Sequence, residues 1–170
     1  MTIRIQKILI GILLSLSFFG FQSYGADKNL GLGFILGNPT ALSVKWLSSE
    51  ESALDFQASL SEKDYLVLWG DYLFQYPGFF GNANKFARRL TPYVGVGPLI
   101  ALGTKNDHDK GDFFDERDDD FALGLRVPFG MEWFWDRVPL AVGLELAPGV
   151  IVAPATRGIV QGGLSFRFYF

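Results

Sequence analysis

The chain has 170 residues, enough for one domain with at most an appendage. Apolar residues make up 49 % and charged residues 19 %, which excludes a disordered chain; the absence of Cys excludes a disulfide scaffold, a zinc–thiolate site, a Cys nucleophile and a lipidated-Cys anchor, and a single His excludes a multi-His metal site. The formal charge of -3 offers no electrostatic footprint for nucleic acid, and 20 Gly with 17 Phe favour twisted, aromatic-rich strands over long helices.

The first segment reads as an address. Arg4 and Lys7 precede an uncharged apolar run from Ile8 to Phe21, and Ser23-Tyr24-Gly25 places small residues at -3 and -1 relative to Ala26. That order predicts a cleaved secretory signal peptide over 1–25 and a mature domain over 26–170. The competing reading is a transmembrane anchor, but a span needs about 20 apolar residues, and this run ends sooner, at Gln22-Ser23. Cleavage would leave 13 basic residues against 18 acidic ones, a mature charge of -5.

From there the chain has period two. Leu42, Val44 and Trp46 alternate with Ser43 and Lys45, and Leu54, Phe56, Ala58 and Leu60 with Asp55, Gln57 and Ser59. Phe121, Leu123, Leu125, Val127, Phe129, Met131, Trp133 and Trp135 keep the rhythm over fifteen positions, which a helix of period 3.6 cannot do. Leu140 to Leu146 and Leu164 to Phe170 repeat it. Breakers divide the chain into eight predicted strands, over 29–36, 41–47, 53–60, 64–75, 91–103, 121–135, 139–152 and 158–170. Their connections are too short for crossover helices, so neighbours should pair antiparallel.

Composition suggests which face is wet. The face opposite the large apolar residues mixes Gly and Ala with Lys45, Asp55, Asp71, Arg126, Glu132, Glu145 and Arg167. Three of these are basic and four acidic, so they nearly cancel. A narrow barrel lumen calls for small residues and mutually pairing charges. The other face is apolar and aromatic, as a bilayer requires, since a lipid-facing Lys or Arg costs about 2–4 kcal/mol at mid-depth. Trp46, Trp69, Tyr72, Phe74, Trp133, Trp135, Phe168, Tyr169 and Phe170 gather near strand ends like an interfacial girdle. The alternative is an exported soluble, lipocalin-like barrel that encloses its apolar face and binds a hydrophobic small molecule.

An even strand number puts both termini on one side. If that side is periplasmic, the long connection 104–120 is extracellular, as outer-membrane barrels prefer. The connection 76–90 then breaks the rule of short periplasmic turns, unless it hides a miscounted strand.

The ending Gly163-Leu164-Ser165-Phe166-Arg167-Phe168-Tyr169-Phe170 resembles the C-terminal signal of bacterial outer-membrane β-barrels. That resemblance implies that Phe166, Phe168 and Phe170 form an assembly signal read by the barrel-assembly machinery. The whole mature chain resembles the small eight-stranded barrels of the OmpA and OmpX kind. Asp71-Tyr72-Leu73-Phe74, Leu123 to Trp135 and Leu144 to Gly149 look like blocks of small outer-membrane barrels. The expected fold is therefore all-β, a closed eight-stranded antiparallel up-and-down transmembrane barrel in the cell outer membrane, with its lipid as solvent.

Three features could carry chemistry. The lumen charges could form an ion path or a network closing the interior; eight strands leave just enough room for side chains, which favours closure. Arg126 and Arg167 are the expected hubs, because guanidinium bridges several carboxylates, with Glu132 and Glu145 as preferred partners. The acidic connection 104–120 could bind a divalent cation or a cationic surface partner, but its Asp spacing is not an EF-hand loop, and charge blocks are usually solvated. His108 has no Ser partner and no Gly-x-Ser-x-Gly elbow accompanies it, so no catalytic residue, metal ligand or cofactor is assigned.

Overall fold

The computed structural model describes residues 29–60, 65–81, 84–103, 121–135 and 138–170. The predicted signal peptide (1–25) and the acidic connection 104–120 with His108 lie outside the described residues.

Nine strands follow in chain order: β1 Leu30–Asn38, β2 Ala41–Leu47, β3 Ser52–Leu60, β4 Tyr65–Gln75, β5 Leu90–Gly103, β6 Phe121–Arg126, β7 Phe129–Phe134, β8 Leu140–Ala153 and β9 Arg157–Tyr169. Every pairing is antiparallel. The expected single strand over 121–135 is interrupted at Val127-Pro128. Proline has no N–H to give to a ladder, yet the wall stays intact there. Val127 N–H donates to the Pro148 carbonyl (2.9 Å), and the Pro128 carbonyl accepts from Gly95 (2.7 Å). β6 and β7 both lie between β5 and β8, so they form one stave in two pieces. The sheet runs β4-β3-β2-β1-β9-β8, then β6 and β7, then β5, and the β4–β5 pairing closes it into eight staves.

The seam between β1 and β9 is paired from Gly31 with Tyr169 to Asn38 with Gly162. Beyond the strand end, Phe170 N–H donates to the Leu30 carbonyl (3.0 Å). Both ends of the described chain therefore lie at one rim, here called the terminal rim, with turn 48–51 and the connection 76–89. β4 stops at Gln75 and β5 starts at Leu90, and only a 3-10 turn, Ala87–Arg89, lies between them among the described residues. The long connection at that rim is real rather than a sign of a missed strand.

Pleating decides what each side chain meets. Successive residues of a strand face opposite ways, and here the large apolar set faces out: Phe34, Leu42, Phe56, Leu125, Leu144 and Phe168 are all exposed. Among the described strands no Asp, Glu, Lys or Arg occupies an outward position. The parity survives the Val127-Pro128 break, since Arg126, Pro128 and Glu132 are all buried. Two residues of the expected interfacial girdle depart from it. Trp69 and Tyr169 point inward and are only 5 % and 3 % exposed, because both share the inward parity of Asp71 and Arg167. Room for Tyr169 comes from Gly31, where a Cβ would lie 2.8 Å from its ring.

Candidate functional site

The lumen is built in three layers. Toward the far rim, Ala41, Val67, Trp69, Leu99, Ala101, Ala122 and Ile151 pack as one apolar cluster, with Ile159 against it. Toward the terminal rim, Ala53, Leu73 and Tyr93 pack with Leu47. Small and branched residues, with one large aromatic in each layer, fill an interior that eight staves leave narrow. Lys45, Asp55, Asp71, Arg126, Glu132, Glu145 and Arg167 lie between these layers, all buried.

Each charge comes from a different stave or a different level of one, and the contacts divide them into two groups. In the first, Arg167 of β9 is the hub. Its Nη2 lies 2.6 Å from Asp55 Oδ2 of β3, and its Nη1 lies 3.0 Å from Glu132 Oε1 of β7. Lys45 of β2 reaches the other oxygen of Glu132 at 2.6 Å. Two cations and two carboxylates thus alternate in a chain, Asp55–Arg167–Glu132–Lys45, that spans β3, β9, β7 and β2. Neutral groups complete it. Arg167 Nε donates to Ser43 Oγ (2.9 Å), Ser43 donates to Asp55 (2.8 Å), and Gln57 Nε2 donates to Asp55 (3.0 Å). Ser165 Oγ accepts from Arg167 Nη1 (3.1 Å), and the Tyr169 hydroxyl donates to Glu132 (3.3 Å).

In the second group Arg126 of β6 is the hub. Its Nε donates to both oxygens of Asp71 on β4 (3.0 and 3.1 Å), and its Nη2 also bonds Asp71. Nη2 lies 3.4 Å from Glu145 of β8, and Nη1 donates to Gln161 of β9 (3.2 Å). The Tyr93 hydroxyl donates to Glu145 (2.8 Å), so both carboxylates have a donor. Asp71 has space because Gly97 faces it; a Cβ there would strike the Asp71 carboxylate and the Gly70 carbonyl. An aromatic ring from each apolar layer covers a cation: Trp69 stacks at 5.0 Å from the Arg126 guanidinium, and Tyr93 at 4.9 Å from Lys45 Nζ. Such contacts gain strength where water is excluded. Gln161 Nε2 and Trp69 Nε1 have no protein acceptor among the described residues.

The structure therefore brings all seven charged positions into one interior layer, with Asp55 and Asp71 as the shortest-range partners of the arginines beside Glu132 and Glu145. Ser43, Gln57, Tyr93, Gln161, Ser165 and Tyr169 are network members that reading for charge alone passes over. Their signal was available in the strand period, since each shares inward parity with a charged residue of its own or a neighbouring strand. The terminal aromatics lie on the wall instead. Phe166 stacks on Phe34 of β1 (5.4 Å), and Phe168 lies 6.3 Å from Phe170.

The solved N-terminal β-barrel domain of OprF from Pseudomonas aeruginosa matches this architecture. The TM-score is 0.56 at 13 % identity, over 84 % of this chain and 96 % of that one. The fold is that of an OmpA-like β-barrel. No protein-family model matches the chain, and neither does any curated protein. At that identity the likeness to OprF concerns the path of the backbone, so the interior of this OmpA-like barrel has to be understood from its own side chains.

Proposed function

We propose that this chain is an integral protein of the bacterial outer membrane whose barrel is sealed, with a structural or cell-surface interaction role, no open pore and no turnover. The observation that carries the reading is the lumen: a fully paired charge layer held between two apolar layers, with Arg126 and Arg167 tying together β3, β4, β6, β7, β8 and β9. A hydrated ion path would need water-lined polar groups from rim to rim, and the mutually paired charges and the apolar cluster toward the far rim both stand against such a path. The outward apolar wall supports lipid rather than water as the surrounding medium, which also argues against a soluble carrier with an apolar interior.

In this reading Phe166, Phe168 and Phe170 present the assembly signal to the barrel-assembly machinery, and residues 104–120 contact any surface partner from the far rim. The experiment has two arms. Cell fractionation should recover the protein with outer membranes, extractable by detergent only, and it should migrate differently on SDS gels before and after boiling. In planar bilayers it should give no stepwise conductance. Quantitative recovery in a salt wash would overturn the location, and regular channel openings would overturn the seal.

A further inference from the structure

The connection 76–90 joins β4 to β5 at the terminal rim and has an unusual make-up. It contains Tyr76, Phe79, Phe80 and Phe86 together with Lys85, Arg88 and Arg89, and no Asp or Glu. Its aromatic residues are not folded inward. Phe79 is 70 % exposed and Phe86 60 % exposed, and Tyr76 and Phe80 are exposed as well. Gly78 and Gly81, at φ 74° and 70°, turn the chain so that the Phe79–Phe80 pair projects from the rim, the two rings meeting edge to face at 5.2 Å.

The segment is continuous with the lipid-facing wall. Phe86 stacks on Trp133 of β7 at 6.0 Å, and Trp133 meets Trp135 at 4.1 Å. Tyr72 and Phe74, outward on β4, form another edge-to-face pair at 5.0 Å just before the segment begins. Lys85 and Arg88 are exposed and pair with no carboxylate among the described residues. Exposed aromatics next to the exposed Lys85 and Arg88, at the edge of an apolar wall, match a membrane interface. Aromatic rings settle at headgroup level, and the cations are attracted to anionic lipid.

We infer that the described residues 76–81 and 84–89 form a lipid-interface element that binds the headgroups of anionic phospholipids in the leaflet at the terminal rim, through Lys85 and Arg88 with Phe79 and Phe86 as apolar anchors. The inference rests on the barrel being embedded in a bilayer, so its test must separate the two claims.

The full-length protein would be refolded into vesicles of equimolar phosphatidylethanolamine and phosphatidylglycerol, re-extracted in mild detergent, and its retained lipid quantified by mass spectrometry. The retained ratio of phosphatidylglycerol to phosphatidylethanolamine should be at least about fivefold above the one-to-one ratio of the vesicle, the scale set by one neutralised interfacial charge. Lys85→Gln with Arg88→Gln should abolish that enrichment while leaving the heat-modifiable gel shift unchanged. Phe79→Ser with Phe86→Ser should reduce total retained lipid. Retention at the vesicle ratio by the unaltered protein, or full enrichment in the charge-neutralised variant, would overturn the inference and leave the embedded barrel standing. Failure of the unaltered protein to insert would overturn both.

Discussion

Arg126 shows what a single residue decides in this lumen. Three of its nitrogens reach Asp71, Glu145 and Gln161, which stand on three different strands. Replacing it with leucine leaves two carboxylates in a closed interior without their cation. Breaking a buried pair from one side typically costs about 3–5 kcal/mol. Arg126→Leu should therefore lower the midpoint of the heat-induced gel shift in detergent by a margin well outside error. Because the apolar layers remain, it should not open a large conductance. The Lys45–Glu132 contact allows a cleaner measurement. Lys45→Met and Glu132→Gln should each destabilise, and the double variant should cost less than the two together, with a coupling of about 0.5–3 kcal/mol in denaturant titrations of vesicle-inserted protein. Gly31 is the steric counterpart: a valine there would push into the Tyr169 ring, and overpacking of that kind costs about 1–3 kcal/mol. The same titration should show Gly31→Val destabilised and Tyr169→Ala partly relieving it.

At the scale of the strand, period two allots each residue to the outer wall or the lumen, and in a membrane-embedded barrel depth along the strand would set how much that matters. β8 offers a direct comparison, because Leu140 and Leu146 face out on one strand, six residues apart. Leu146 stands near the middle of β8 and Leu140 at its terminal-rim end. Leu146→Arg should destabilise the inserted barrel by about 2–4 kcal/mol, and Leu140→Arg by roughly 0–1 kcal/mol, the depth dependence expected of a lipid-facing position. Equal effects at both sites in unfolding titrations would mean that β8 does not traverse a bilayer. The break between β6 and β7 belongs to this scale too. Alternation over Phe121 to Trp135 read as a single strand, and the stave is single in its course; only the missing Pro128 N–H divides it. Proline in a strand was a local signal for that interruption, but whether the chain would bulge, bend away or continue depended on the carbonyl of Pro148 and the N–H of Gly95, which come from neighbouring staves.

For the whole molecule, closure makes the individual contacts cooperative. The β4–β5 pairing and the β1–β9 seam leave the described sheet without a free side along its length, and closure is what removes edge strands. Each hub arginine bridges staves far apart in sequence, with Arg167 and Asp55 separated by 112 positions. Ordering the lumen therefore requires the barrel to be nearly complete. Unfolding of the inserted protein should accordingly be a single transition, with intrinsic tryptophan fluorescence and the gel shift changing together. Two separated transitions would show that the charge layer forms independently of the wall.

Much of this protein could be read from residue order alone. Alternation is a local property, so it revealed the strands, their number of staves and their antiparallel connections, and the chemistry of the two faces indicated which one could meet hydrocarbon. It also put all seven charged positions on one face, because parity is inherited along each strand. Pairing was another matter. Whether Arg167 meets Glu132 alone or also Asp55, whether Trp69 belongs to the girdle or covers Arg126, and which neutral side chains complete the network depend on stagger between staves. Stagger is set by closure of the whole sheet and by where Gly31 and Gly97 leave room, and no short stretch of the chain contains that information.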